Sequence, residues 1–369
     1  MPVIRGPALE NLTAAIVKEC RSGLDTDTLR TRVLPRLRRA VPVDAVWWAT
    51  VDPATLLFTQ DYREAIPPET GPYFVDNEFL RDDVNKWTDL ARQRADVATL
   101  VQATAGRVEE SPRYLDIFRP LGLEDELRAV LRTRGTCWGY ICLHRETGRP
   151  FSDAEITFVR RIAPYVGDAV RVALLIRSVE LASSTDAPGL ILLADGHAAS
   201  RMNDAAALWL QELSSSQAGS PLPIEIYAVA AKLRSMSPSE GATPRLRVRT
   251  RTGRWAVLHA TWLPAEGEDV VAVMIEEAQG FEVAPVIMAA YGLTERERAV
   301  SGLVCRGLST AEITTLLRLS SNTLQDHLKS IFMKTGVSSR RELAATILRR
   351  DYIPRGKSGQ TVGRSGFYV

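Results

Sequence analysis

The most constraining feature of this chain is a pattern that recurs near its C-terminal end. Ser/Thr-x-x-Glu occurs at Thr294–Glu297, Ser309–Glu312 and Ser339–Glu342. In such a capping box the hydroxyl accepts the backbone N–H three residues on, and the Glu accepts the N–H of the cap, so each marks a helix start. Ser320 offers a further N-cap, and Gly307 and Gly336 stand where helices should stop. The pattern predicts four short helices. Their apolar residues fall on single stripes: Val300, Leu303 and Val304; Ile313, Leu316 and Leu317; Leu324, Leu328, Ile331 and Phe332; Leu343, Ile347 and Leu348. Each stripe is enough to close one small shared core. Only Leu319 and Ser320 separate the second helix from the third, the tight connection of a helix-turn-helix.

The third helix opposes its leucines with Ser321, Asn322, Gln325, Asp326, Lys329 and Met333. A face of small, polar and basic residues suits a major groove, where base edges are read by hydrogen bonds; it equally suits a solvated face of a small bundle. Charge is the second clue. The whole chain carries +2, but residues 291–350 hold ten Lys or Arg against five Asp or Glu. With the +2 of residues 351–369, this leaves −5 for residues 1–290. A basic end on a mildly acidic body is the arrangement expected of a module that meets phosphate.

Leu293-Thr294-Glu295-Arg296-Glu297, Gly307-Leu308-Ser309, Glu312-Ile313, Ser320, Thr323, His327, Ile331, Lys334, Gly336-Val337 and Ser339-Arg340 together resemble the LuxR-type DNA-binding domain. The resemblance implies that the third helix is a recognition helix on double-stranded DNA. It implies that Thr323, His327 and Lys334 approach the DNA backbone, and that Gln325, Asp326 and Lys329 approach base edges. Lys334, Arg340 and Arg341, with His327, are the expected phosphate contacts. Gln325, Thr314 and Thr335 depart from the residues most frequent at their positions; the first of these bears on sequence preference rather than fold. A single recognition helix reads few base pairs, so a homodimer on two half-sites is expected.

Turn formers divide the rest. Ser183 to Gly189 and Gln279 to Pro285 read as punctuation, and the Gly- and Ser-containing end as a disordered tail, 351–369. The expected domains are 8–182, 188–278 and 285–350, and no internal repeat is evident. In the first, Ala45 to Val51 and Cys137 to His144 read as strands, and Ser152 with Glu155 caps a helix running to about Leu181 with Pro164 inside it. Val170, Leu174, Val179 and Leu181 are its candidate pairing face. Trp138 to Leu143, then Arg149 to Ser152 and the long helix, resemble a GAF-type sensor domain; the strand-rich 188–278, with a helix near Ala205 to Leu213, looks similar to a PAS-type fold. The fold class expected is therefore multidomain α+β: GAF-like and PAS-like antiparallel-sheet sensors followed by an all-α domain. These folds imply a pocket for an unknown small-molecule ligand, with Trp47, Trp48 and Trp138 as candidate lining. The autoinducer-binding domain of quorum-sensing regulators competes through Tyr73, Asp82-Asp83-Val84 and Trp87.

Several classes are excluded by what the sequence lacks. There is no phosphate-binding G-x-x-x-x-G-K-[ST] loop, no H-E-x-x-H and no G-x-S-x-G, so no enzyme is expected. Cys20, Cys137, Cys142 and Cys305 are scattered without C-x-x-C or matching His spacing, which predicts reduced thiols, no metal site and no cofactor. His144, His197 and His259 read as structural. No apolar run approaches the roughly 18 residues of a membrane span, and Glu10 and Asn11 break any signal-peptide core, so a cytoplasmic protein is expected. The competing reading is a sigma-like or adaptor protein whose helical bundle binds RNA polymerase.

Overall fold

The computed structural model describes residues 6–93, 96–146, 148–176, 185, 187–194, 197–213, 222–237, 243–264 and 270–348. The chain divides into two compact units, residues 1–277 and 278–369.

The first unit opens with α1 (Pro7–Cys20) and α2 (Thr26–Ala40), the latter started by the Asp25 carboxylate accepting the N–H groups of Asp27 and Thr28. Then follow β1 (Ala45–Val51), β2 (Phe58–Glu64), α3 (Gly71–Leu80), α4 (Trp87–Gln93), β3 (Val97–Thr99), the single turn α5 (Leu100–Ala103), β4 (Leu123–Thr133) and β5 (Thr136–Glu146). β4 and β5 form a hairpin through Arg134 and Gly135, both at positive φ, as a two-residue turn of the twist-matched kind requires. The antiparallel sheet has the order β2-β1-β5-β4-β3. The interior strand β1 is buried along its whole length. The following helix, α6 (Asp153–Ala173), carries the Ser152–Glu155 capping box and packs on β4 and β5 together with α1 and α2. Gly167 makes that approach possible: a Cβ there would lie 2.8 Å from the Leu131 backbone.

A second antiparallel sheet is built from β6 (Gly189–Ala194), β7 (Ala198–Met202), β8 (Arg245–Arg249), β9 (Trp255–Leu263) and β10 (Val270–Glu277), in the order β7-β6-β10-β9-β8. Its strand order repeats that of the first sheet. Two helices accompany it, α7 (Asp204–Leu213) and α8 (Ile224–Arg234). Every residue of α8 from Ile224 to Ala231 is buried. A helix buried on all sides belongs inside a core, and α8 packs on α3 and β2 of the first sheet's layer as well as on β8, β9 and β10. One hydrophobic core therefore runs from Trp47, Phe58 and Tyr140 to Tyr227, Leu258 and Val273. Ion pairs stitch the same boundary: Asp52, fully buried, with Arg247 at 2.7 Å, and Asp76 with Arg234 at 3.0 Å. The two expected sensor domains share one core.

The α6 helix is shorter than its sequence implies. It ends at Ala173, where the Arg249 guanidinium donates to the carbonyls of Ala173 and Leu174 at 3.2 Å and to that of Ile176. Of the candidate pairing face, Val170 is buried within its own layer, and Val179 and Leu181 lie outside the described residues. So does the tail 351–369.

The second unit holds α9 (Gly280–Ala290), α10 (Glu295–Cys305), α11 (Thr310–Leu317), α12 (Ser321–Thr335) and α13 (Arg340–Leu348). The expected four-helix domain thus has a fifth helix at its start. Gln279 and Glu282 form a capping box there, and Pro285 is tolerated inside α9, so the segment read as punctuation is helical. Ala284 and Met288 of α9 join Val300, Ile313, Leu324, Leu328, Ile331, Leu343 and Ile347 in one core.

Candidate nucleic-acid interface and sensor core

The helix-turn-helix is built from local chemistry. The Ser309 hydroxyl and Glu312 carboxylate cap α11 reciprocally, and Thr294 with Glu297 does the same for α10. α11 stops at Arg318, which adopts the left-handed conformation at φ 52° and ψ 52°; the Leu319 N–H closes the turn onto the Thr314 carbonyl at 3.0 Å. Arg296 of α10 donates to the Leu317 carbonyl, occupying an acceptor the helix end leaves open. The Ser320 hydroxyl accepts from the Thr323 N–H at 3.1 Å and starts α12. The third box is altered: Ser339 caps α13 by accepting from the Glu342 N–H, but the Glu342 carboxylate accepts from Ser338 instead.

Leu324, Leu328, Ile331 and Thr335 point α12 into the core. The opposite face presents Ser321, Asn322, Thr323, Gln325, Asp326, Lys329 and Met333 to solvent, the last 79% exposed. Among the described residues no hydrogen bond or ion pair engages Gln325, Asp326 or Lys329 with the rest of the protein. His327 is half-buried at the edge of this face, and Arg341 is exposed. Arg340 is half-buried, its guanidinium donating to the Thr310 hydroxyl at 2.9 Å. The N-terminus of α12, with the partial positive charge of its first N–H groups, lies beside Thr323 and suits an anion.

Lys334 departs from the free cation its position implies. Its Nζ lies 2.7 and 2.8 Å from the two oxygens of the buried Glu297, and the Ser330 hydroxyl donates to the same carboxylate at 2.6 Å. Burial would raise Glu297, but Lys334, Ser330 and the Thr294 cap outweigh it and hold the carboxyl at about 2. Lys334 is thus committed to locking α12 onto α10. The Lys–Glu pair is readable only once both helices are placed, because the residues are 37 apart.

The sensor unit holds one charged cluster inside. On the face of the first sheet opposite α6, Arg113 pairs with Glu126 at 2.7 Å and Asp83 at 3.1 Å, and Arg128 with Glu78 and Glu126 at 3.1 Å; all five side chains are essentially inaccessible. Burial pushes Glu78 up against the pull of Arg128 and Arg113, whereas at Glu126 the two arginines prevail over burial and bring it to about 2. Burial likewise takes His144 down to about 4. The Arg128 guanidinium lies over the Trp87 ring at 4.6 Å, and Trp87 stacks on Tyr140. A narrow cleft lined by Trp47, Arg63, Phe74, Ile117, Phe118 and Ile224 adjoins this cluster. Its enclosed part has room for roughly one water. Of the three candidate tryptophans only Trp47 lines it; Trp48 and Trp138 are fully buried elsewhere. Tyr73 is on the surface, while Asp83 and Trp87 belong to the buried network. His197 and His259 pair with Asp76 and Glu276, each at 2.8 Å.

Comparison with known families agrees with this division. Residues 292–347 match the family described as bacterial regulatory proteins, luxR family, and residues 10–170 match the GAF domain. No curated protein matches the chain. Among solved structures, Escherichia coli SdiA is 11% identical, with 93% of this chain and 98% of that one covered at a TM-score of 0.34. The Pseudomonas aeruginosa VqsR LBD domain is 16% identical, with 46% and 98% covered and a TM-score of 0.32. The GAF domain of a Geobacter sulfurreducens GAF domain/HD domain protein is 17% identical, with 40% and 93% covered and a TM-score of 0.30. Likenesses this low carry no argument about function. A GAF sensor joined to a helix-turn-helix with an open polar recognition face defines a DNA-binding transcription regulator. Its helix-turn-helix, residues 292–347, is of the LuxR type. Among the described residues no helix is long and apolar enough to cross a membrane.

Proposed function

We propose that this protein binds duplex DNA sequence-specifically through the outer face of α12, and that its first unit is a non-catalytic sensor of a small ligand. The observation that carries the reading is the set Gln325, Asp326 and Lys329, whose side chains are exposed on one helix face and bonded to nothing among the described residues. Gln suits adenine, Lys suits guanine, and Asp can accept from the cytosine amino group. Thr323, beside the α12 N-terminus, and His327 take phosphate together with Arg340 and Arg341. Lys334 supports this surface by holding α12 in place. The protein acts as a homodimer in the cytoplasm, because one recognition helix cannot specify a site alone. The second sheet, with the strand order of the first, is read as PAS-like and as part of the same sensory unit.

The test is binding of the full chain to a random pool of short duplexes, with and without RNA polymerase. Retention of a defined sequence by the protein alone supports direct readout. Retention only when polymerase is present would replace it with the adaptor reading.

A further inference from the structure

We propose that Glu126, Cys142 and His144 form a binding site for a single divalent metal ion of the zinc class inside the GAF domain. The three side chains come from the β4–β5 hairpin. Glu126 and His144 are direct cross-strand partners, and Cys142 is paired with Arg128, the next residue on the Glu126 face. Alternation along the strands brings all three to one face. A carboxylate oxygen, the sulfur and an imidazole nitrogen lie within 4.8 Å of one another, and all three residues are buried. In a tetrahedral zinc site the ligand atoms stand roughly 3.5 Å apart, given bonds of about 2.0–2.3 Å.

The observation that points to a ligand is His144. It is 1% exposed, and neither of its ring nitrogens has a hydrogen-bond partner. Buried polar groups are almost always satisfied, and imidazole is the commonest metal ligand. The Phe118 ring at 4.5 Å covers one side of His144 and donates nothing to it. The charges fit as well. Arg113 and Arg128 face three carboxylates, Glu78, Asp83 and Glu126, leaving the cluster one negative charge in excess. The Cys142 S–H now donates to Glu126 at 2.8 Å. A bound divalent ion replaces that proton, which passes to solvent, and cation plus thiolate bring the cluster to neutrality. Three protein ligands leave one coordination position for water or a small anion. The sequence hides the site because Cys142-x-His144 is a spacing for strands, while familiar zinc spacings describe turns and helices, and Glu126 joins only across the hairpin.

The test is titration of the reduced, chelator-treated full-length protein with Co(II), followed by displacement with Zn(II). The expected result is one equivalent bound, with a thiolate-to-cobalt charge-transfer band that Cys142→Ser abolishes and Cys137→Ser keeps. His144→Gln should weaken binding at least about tenfold. X-ray absorption of the zinc-loaded wild type should show a single sulfur neighbour, a readout that does not depend on any variant folding. No charge-transfer band in the wild type, a band that survives Cys142→Ser, or a zinc shell without sulfur would each overturn the site.

Discussion

The two units of this protein place their polar residues in opposite ways. The helical unit builds its centre mainly on apolar side chains, with Glu297 bonded to Lys334 and Ser330 beside them, and displays Gln325, Asp326 and Lys329 outward. The first unit sinks Arg113, Arg128, Glu78, Asp83 and Glu126 below the surface and pairs their charges with each other. An outward face can meet a partner without rearranging the fold. A buried ionic network can report only by changing the packing around it. The difference assigns contact to one unit and response to the other, and it can be broken at several points.

The largest effect is expected inside the sensor. Arg128→Met removes the cation shared by Glu78 and Glu126; Glu126 keeps Arg113, but the buried Glu78 loses its cation, which should cost about 3–5 kcal/mol of stability. Chemical denaturation of the full chain, followed by a probe in each unit, checks this. A loss confined to the first unit sharpens the comparison, and an unchanged midpoint refutes the view of the network as structural.

Lys334→Met comes next. It leaves Glu297 buried beside Ser330 without its cation, for an expected cost of about 2 kcal/mol to the helical unit. The pH dependence follows from the same pair. Glu297 is depressed to about 2, so its contribution is present above the unfolded value near 4.5 and fades as pH falls toward 2. Thermal unfolding of the wild-type helical unit should therefore weaken across that window, and Lys334→Met should flatten the slope. An equal slope in both proteins would show that the pair does not govern acid stability.

Lys329→Ala should leave stability within about 0.5 kcal/mol, since the side chain is exposed and unpaired. It should nevertheless weaken DNA binding and reduce the salt slope by about one unit if Lys329 also neutralises phosphate, or leave the slope intact if it reads only guanine. Equal affinity to wild type would remove Lys329 from the interface. The smallest effect is expected at Arg318→Gly. Relief of a left-handed residue is offset by the extra freedom of glycine in the unfolded chain, so a change of under about 1 kcal/mol is predicted from calorimetry.

The same contrast explains what the sequence disclosed. The helix-turn-helix was legible because its instructions are local: Thr294–Glu297, Ser309–Glu312 and Ser320–Thr323 act across three residues. The open face of α12 followed from the leucine stripe. The buried network was not legible, because Glu78 and Arg128 are 50 residues apart and Arg113 and Glu126 meet only through the sheet. Nor was α8, whose unbroken apolar run lacks the periodicity that marks a helix with one wet side. At α9 the usual meaning of Gly280 and Pro285 misled, because the Gln279–Glu282 cap overrides it. Lys334 shows the limit of position alone: its basic charge suits phosphate, and its actual neighbour is a carboxylate.

Direct readout by α12 is tested most directly by randomised-site selection at one fixed salt concentration, on the wild type and on Gln325→Ala. The account predicts that the wild type recovers a motif with an A·T preference at one position of each half-site. Gln325→Ala should lose that preference, worth about 1–3 kcal/mol, while keeping the other positions and its non-specific affinity. Identical motifs from the two proteins would contradict it.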